Sequence, residues 1–556
     1  MTLPQDPDTG SNAIAALEPV SVLGTDGLEL DVDAASKQSR IRRGRPPIAL
    51  VVPGILVAVA AIAPAAYLLF RAGFSFTLLL DELDNPSTVP LIWNTLKLLV
   101  LVCGFTVILG VGLAVLIART TLPMPRVWTV LLTLPLGVPT FVGSYAWVAF
   151  SYRYFPGSTL IFGLGGATAI LTLTLFPYVF LPTLTALRRL DPAQEEAARA
   201  LGRGPVAAFL RVTLPQLRPA IATGMLIIGL HLLAEFGALQ MLNYQTLTTV
   251  IVQQQTVLGM PESARALAVV LAVGAIGLLL LDRVLRGKRR PVRTGSGTPR
   301  PPLRWKLGYS TPLWTALCAA VVAGALAVPL WVTGSGIINH LTGSGISIDW
   351  AELGNAAGNT AKWALSAAVL ATLCAIPVSL LAARYPGRIS TLIERSTWVA
   401  HALPGVIMAL SLVFISVRWM FPLYQTSTLL VIGYVVLFLP LAVGSQQVGF
   451  GQAAPAFDDM SRSLGKGPFE TFTRVTMPLA LPAIGTGALL VGLDAGKELT
   501  TTLLLRPTGE HSLATALWAT TNGEVLDFTA ASPYGLALLL IGAIPAILLA
   551  RSTVRK

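Results

Sequence analysis

The side chains that most often do chemistry are sparse in this chain and do not converge. The four histidines, His231, His340, His401 and His511, are scattered, and Cys103, Cys318 and Cys374 each lie inside a long apolar run. Such spacing builds neither a zinc cluster nor a disulfide framework. The thiols read as small buried apolar groups and the histidines as structural. The nearest approach to a phosphate-binding loop is GLDAGKEL around Lys497, which lacks the required spacing and the Ser or Thr after Lys. What remains is a set of ionisable groups in apolar surroundings: Lys97, Glu235, Lys362, Lys497 and Glu498. A charge at the centre of a bilayer costs about 2.5–3.5 kcal/mol, so each needs a reason. Glu235 and Glu498 lie at matched positions 263 residues apart, and two such carboxylates could meet a hard cation through oxygen. The competing use is helix pairing, for example of Glu498 with Lys497. Lys97 and Lys362 read as packing or snorkelling groups, and Asn94 and Asn359 as hydrogen bonds between helices.

These groups need a membrane to position them. Of 556 residues, 54% are hydrophobic and 12% charged, with 50 glycines and a mean hydropathy of +0.71. About 25% charged is usual for a soluble domain. The composition excludes a soluble globular enzyme, a disordered chain and a disulfide scaffold. Twelve apolar runs are long enough to span, at roughly 48–70, 91–118, 127–150, 159–186, 219–242, 264–282, 311–333, 359–383, 396–417, 426–449, 480–503 and 532–550. With the N-terminus inside, 31 of the 39 Lys and Arg fall in inner segments and 4 in outer loops. That asymmetry predicts a multi-pass protein with both termini cytoplasmic, and it explains the net charge of +12 without nucleic acid. Residues 1–45 read as a disordered cytoplasmic tail, 46–283 as a first half of six spans, 284–307 as a basic cytoplasmic linker and 308–556 as a second half.

The halves repeat each other. EEAARALGRGPVAAFLRVTLPQLRPAI (195–221) and DDMSRSLGKGPFETFTRVTMPLALPAI (458–484) share 13 of 27 positions. Asn94, Thr95 and Lys97 pair with Asn359, Thr360 and Lys362 at an offset of 265. Two like-oriented halves imply a pseudo-twofold axis along the membrane normal with a route between them. In the repeated loop, Asp191, Pro192 and Gln194 suit a helix start, a short helix over 193–201 follows, and Gly202 suits a left-handed residue that ends it. A second amphipathic stretch, 205–213, leads through Pro215 into the next span. Each half thus projects a short helix from the inner face, shaped as a lever between a cytoplasmic partner and the spans.

Both loops (191–218 and 454–481) resemble the EAA loop of the permeases of ATP-binding-cassette importers. Glu195 and Glu196, Ala197, Gly202 and Pro215 carry the pattern in the first half; Asp458 and Asp459, Gly465 and Pro478 carry it in the second, where Met460 and Ser461 depart from it. The resemblance implies an all-α polytopic bundle of the type I importer, MetI-like kind. It also implies that each short helix docks on one of two copies of a separate subunit, which binds ATP and Mg and hydrolyses the nucleotide. The chain itself would be no enzyme, with no cofactor and no tightly bound metal. The segments LPLGVPTFVGSYAWV (134–148), AEFGALQMLNYQTLTTVI (234–251), HALPGVIMALSLVF (401–414) and GKELTTTLLLRPTGEHSLATALW (496–518) resemble fused ferric-iron permeases. That resemblance implies a plasma (inner) membrane protein that imports Fe(III) from an extracytoplasmic iron-binding protein by alternating access, amid membrane lipid. The candidate pathway residues are Glu235, Tyr244, Lys497, Glu498 and Arg506, with Tyr244 and Arg506 placed to touch the binding protein or its cargo. Thiamine, polyamine and sulfate permeases share the loop. A twelve-span secondary transporter fits the topology alone, but it needs no matched cytoplasmic levers.

Overall fold

The structure is a computed structural model that describes residues 46–73, 80–82, 84–190, 193–286, 304–342, 348–452, 455–521 and 528–555. The tail over 1–45, most of the linker, and Asp191 and Pro192 lie outside the described residues. Among those described, the architecture is entirely helical, apart from one isolated backbone bridge between Thr120 and Trp305.

Twelve spans were expected, and the structure shows that not all of them are single helices. Among the described residues, nine helices are individually long and apolar enough to cross a membrane. Two further crossings are bent pairs, Pro125–Gly137 with Thr140–Tyr154 at 95° and Gly163–Leu175 with Pro177–Arg188 at 41°. Gly405–Trp419 is a shorter apolar helix. The expected runs at 127–150, 159–186 and 396–417 are therefore not single rods. Proline supplies the reason: Pro139, Pro177 and Pro404 sit at the breaks, where the ring removes an N–H. Phe176 before Pro177 stays helical (φ −54°, ψ −28°) at the shallower bend, while at the sharp 95° bend the residue before the proline leaves helical geometry. Val138 is accordingly extended (ψ 115°).

The two sequence halves do not pack as separate bodies. The first helix, Ile48–Gly73, lies against the second half, along Trp350–Arg384, Arg388–Ala402 and Gly405–Trp419. Its Ala58, Ala61 and Ala65 enter the core that holds Trp363 and Ala367, and Tyr67 meets Trp419 edge-on at 5.3 Å. The second half returns the exchange. Its opening helices place Cys318 and Val321 in a core with Leu113 and Phe180, Trp147 donates to the Gly324 carbonyl at 3.0 Å, and Trp331 donates to the Tyr154 hydroxyl at 2.8 Å. Gly137 and Gly542 bring backbones of opposite halves together so closely that a Cβ on either would overlap the other's carbonyl. Without a hydrophobic drive between helices in lipid, such small-residue crossings hold a bundle by close van der Waals contact.

Candidate functional site

The repeated loop folds as its sequence predicts. Ala193–Ala200 and Pro455–Ser463 are short helices, and Gly202 and Gly465 end them at φ +83° and +79°. In each, the glycine N–H returns to a carbonyl three back (Arg199, 3.0 Å; Arg462, 2.9 Å) and the next N–H to one five back (Ala198, 3.2 Å; Ser461, 3.2 Å). This is the glycine-closed helix end that a left-handed residue permits. Pro205–Ala208 and Pro468–Thr471 follow. Each runs through a π-helical turn, Phe209–Thr213 or Phe472–Thr476, into the long helix that Pro215 or Pro478 opens. Neither π turn is visible in the residue pattern.

The two leading acids of the loop have different surroundings from their neighbours. Glu195 is buried; its Oε2 accepts from the Thr213 hydroxyl at 2.8 Å and lies 3.6 Å from Nη2 of Arg119, the last residue of Thr88–Arg119. Asp458 repeats the arrangement. It accepts from Thr476 at 2.7 Å and lies 3.3 Å from Nη2 of Arg384, the last residue of Trp350–Arg384. Each lever is thereby latched to the end of its half's second span. The sequence reading missed Arg119 and Arg384. The offset of 265 that pairs Asn94 with Asn359 also pairs these two arginines, and that was the available signal. Glu196, Ala197 and Asp459 point away from the latch and are at least partly exposed. Around them Leu201, Val206, Leu464 and Phe469 are 85%, 66%, 79% and 80% exposed, an apolar surface on both polar loops.

The second constellation lies beyond the far ends of the long helices. Glu235 sits in an extended break between Leu214–Ala234 and Gly237–Met241. Its Oε1 accepts from the Ala238 N–H at 2.9 Å, its Oε2 accepts from the Thr140 hydroxyl, and His231 Nε2 is 3.2 Å away. Glu498 occupies the matching break before Thr500–Leu505 and accepts from the Thr501 N–H at 3.0 Å. Both carboxylates therefore cap short helices inside the bundle, where freed backbone N–H groups must find partners. Lys497 pairs with Asp494 at 2.8 Å, not with Glu498 as the pairing alternative supposed. Tyr244 is buried and donates to the Asn94 carbonyl at 3.0 Å. Asn94 and Asn359 donate to the Gln245 and His511 carbonyls, both at 3.2 Å, so they tie their helices to the segments after the breaks.

The halves meet here. Phe236 and Trp518 pack with ring centres 5.0 Å apart and planes tilted by 48°, and Gly237 leaves room for Leu499. Beside them is a cavity of about 310 Å³ walled by Phe236, Gln240 and Gln253 of the first half and Leu503, Arg506 and Trp518 of the second. Of the five pathway candidates, Arg506 lines it. Its Nη1 donates to the Glu510 carbonyl and lies 3.3 Å from His511 Nδ1. No carboxylate is among the lining residues, and no cluster of metal-ligating side chains occurs among the described residues.

Comparison with known proteins accords with this duplicated design. The family model for the binding-protein-dependent transport system inner membrane component matches twice, over residues 107–289 and 375–554. The Fe(3+)-transport system permease protein FbpB 2 of Haemophilus influenzae is 33% identical over 509 residues, 91% of this chain and 98% of that protein. The ferric transport system permease protein FbpB of Actinobacillus pleuropneumoniae is 24% identical over 73% of this chain and 61% of its own length. The sulfate transport system permease protein CysW of Synechocystis is 29% identical over 32% of this chain and 69% of its own. With two family matches covering most of its length and one in each half, the chain belongs to the inner-membrane components of binding-protein-dependent transport systems, as two permease halves fused in one polypeptide.

Proposed function

We propose that this chain is the permease of a ferric-iron importer. An extracytoplasmic binding protein delivers the iron outside, and two copies of a separate ATPase, which bind the ATP and Mg, drive transport from the cytoplasmic side. The observation that carries the reading is the pair of levers. Each is a glycine-closed helix that exposes apolar side chains to solvent, and each is latched by an ionic contact, buried in the first half and half-buried in the second, to the second span of its half. Exposed apolar surface on a polar loop calls for a partner. ATP-driven closure of the partner pair would draw the levers together and rock the halves about their shared interface. The chain performs no hydrolysis in this scheme, and both termini lie in the cytoplasm of a cell whose plasma membrane it spans. Iron as cargo is supported by the ferric relatives, one of which is alike over 91% of the chain.

A second cargo reading, an oxyanion, is favoured by one observation: the cavity between the halves presents the Arg506 guanidinium and the amides of Gln240 and Gln253. Sulfate permeases are among the partial relatives. The deciding experiment is uptake into vesicles holding the chain with its ATPase and binding protein. ATP-dependent accumulation of radioactive iron, with none of sulfate, is the expected result; the reverse selectivity overturns the iron reading. In the same vesicles Gly202→Asp with Gly465→Asp should abolish uptake while the protein stays inserted. Unchanged transport would refute the levers.

A further inference from the structure

The helix Arg388–Ala402 leads from the latch at Arg384 to the core at Leu403. Its inward face carries Ser390, Ile393, Ser396 and Thr397, all buried. Ile393 packs within 3.5 Å of where a Cβ on Gly54 would sit, in the opening turns of the first span, so the helix lies at the lever-side rim of the bundle. Its outward face holds Arg388, Thr391, Leu392 and Arg395, which together wall an open cavity of about 310 Å³. Spacings of three, four and seven residues place the two guanidiniums and the hydroxyl on one helix face, with the arginines about 10 Å apart along the axis. Among the described residues neither arginine has an ion-pair or hydrogen-bond partner, although Glu394 is their neighbour in sequence. Arg119 and Arg384, at the same rim, do have acids.

The surroundings of this cavity are apolar and exposed. Ile389, Leu392 and Trp398 are 54%, 69% and 44% exposed on the helix itself, and Val52 and Leu56 are 49% and 65% exposed on the adjoining first span. Two cations and a hydroxyl at the level where an apolar flank ends match a molecule that is anionic at one end and hydrocarbon at the other. We propose that this cavity is a binding site for the phosphodiester headgroup of an anionic phospholipid. Arg388 and Arg395 hold the phosphate oxygens, Thr391 donates a hydrogen bond, and the acyl chains lie along Leu392, Trp398 and the start of the first span. The first half has no counterpart. The corresponding helix, Pro125–Leu131, carries Arg126 alone, so the site belongs to one half and breaks the pseudo-symmetry.

The test uses the full chain purified in mild detergent, with retention of phosphatidylglycerol and phosphatidylcholine compared by native mass spectrometry. Phosphatidylglycerol should be retained preferentially. Arg388→Gln with Arg395→Gln should lower its retention on the order of tenfold or more, as expected for loss of two interfacial cations. Arg388→Lys with Arg395→Lys should keep much of it, and Arg126→Gln should leave it unchanged. Three results overturn the proposal: equal retention of both lipids by the unaltered chain, unchanged phosphatidylglycerol retention in the double glutamine variant, or displacement of the lipid by inorganic phosphate, which marks a free-anion site. If the double variant instead loses its ATPase partner while retaining lipid, the face is a protein-docking surface and the proposal also fails.

Discussion

The two latches are built from the same three roles with different materials. In the first half a glutamate reaches Arg119, and the pair is almost sealed, with side chains 2% and 4% exposed. In the second half the shorter Asp458 meets Arg384 at 3.3 Å, with side chains 12% and 19% exposed. Duplication kept the geometry but not the dielectric surroundings, and the surroundings decide what each pair contributes. Removing one member of a sealed pair strands a charge, which costs about 3–5 kcal/mol; a hydrogen-bonded charge with access to water costs less when lost, about 1.5–3 kcal/mol. Glu195→Ala should therefore lower the thermal unfolding temperature of the detergent-purified chain clearly more than Asp458→Ala. Equal shifts would break the comparison by showing that burial at the two latches does not differ in solution.

The breaks in the long helices differ in the same direction. Glu235 caps Ala238 while also holding the Thr140 hydroxyl beside His231, whereas Glu498 is held by the Thr501 N–H. Glutamine keeps one carbonyl oxygen and turns the other acceptor into a donor. At Glu498 the single bond survives this exchange. At Glu235 one of the two acceptor duties is lost, at about 1–3 kcal/mol. Glu235→Gln should thus destabilise the purified chain measurably while Glu498→Gln stays close to the parent. If both variants fold yet iron uptake falls in each, the two carboxylates act on cargo as well as on backbone. Normal uptake at limiting iron in the double variant removes them from the route.

This contrast also marks what was legible in the residues. The levers were readable down to Gly202 and Gly465 because a local rule fixes them: a left-handed helix end needs glycine, and the segment repeats. Membrane class and duplication were readable for the same reason. The latches were not, because an arginine closing an apolar run looks like any positive-inside residue until a segment some 75 residues later brings it an acid. Glu235 and Glu498 were visible as anomalies, but their capping duty depends on where the helix breaks, and hydropathy passes through a break without a signal. The exchanged first helices were hidden as well, since periodicity names an apolar face but not the half that covers it.

The smallest expected difference is at the lever glycines, where the halves should agree. A Cβ built on Gly202 or on Gly465 meets no atom within 4 Å, so neither position is crowded. What alanine would meet is the backbone alone, at φ +83° and +79°, a left-handed geometry that costs an L residue about 1–2 kcal/mol. Gly202→Ala and Gly465→Ala should therefore shift unfolding by nearly equal amounts in the purified chain, in contrast with the unequal latches. Both levers are exposed in the isolated permease, so the same pair of variants measured with the ATPase bound sharpens the point. If one lever docks more deeply, the added methyl meets the partner there, and only that variant loses ATP-driven uptake beyond its loss of stability. Unequal shifts in the isolated chain would instead mean that the two helix ends are not the same structure, and the twofold design would hold for the sequence but not for the levers.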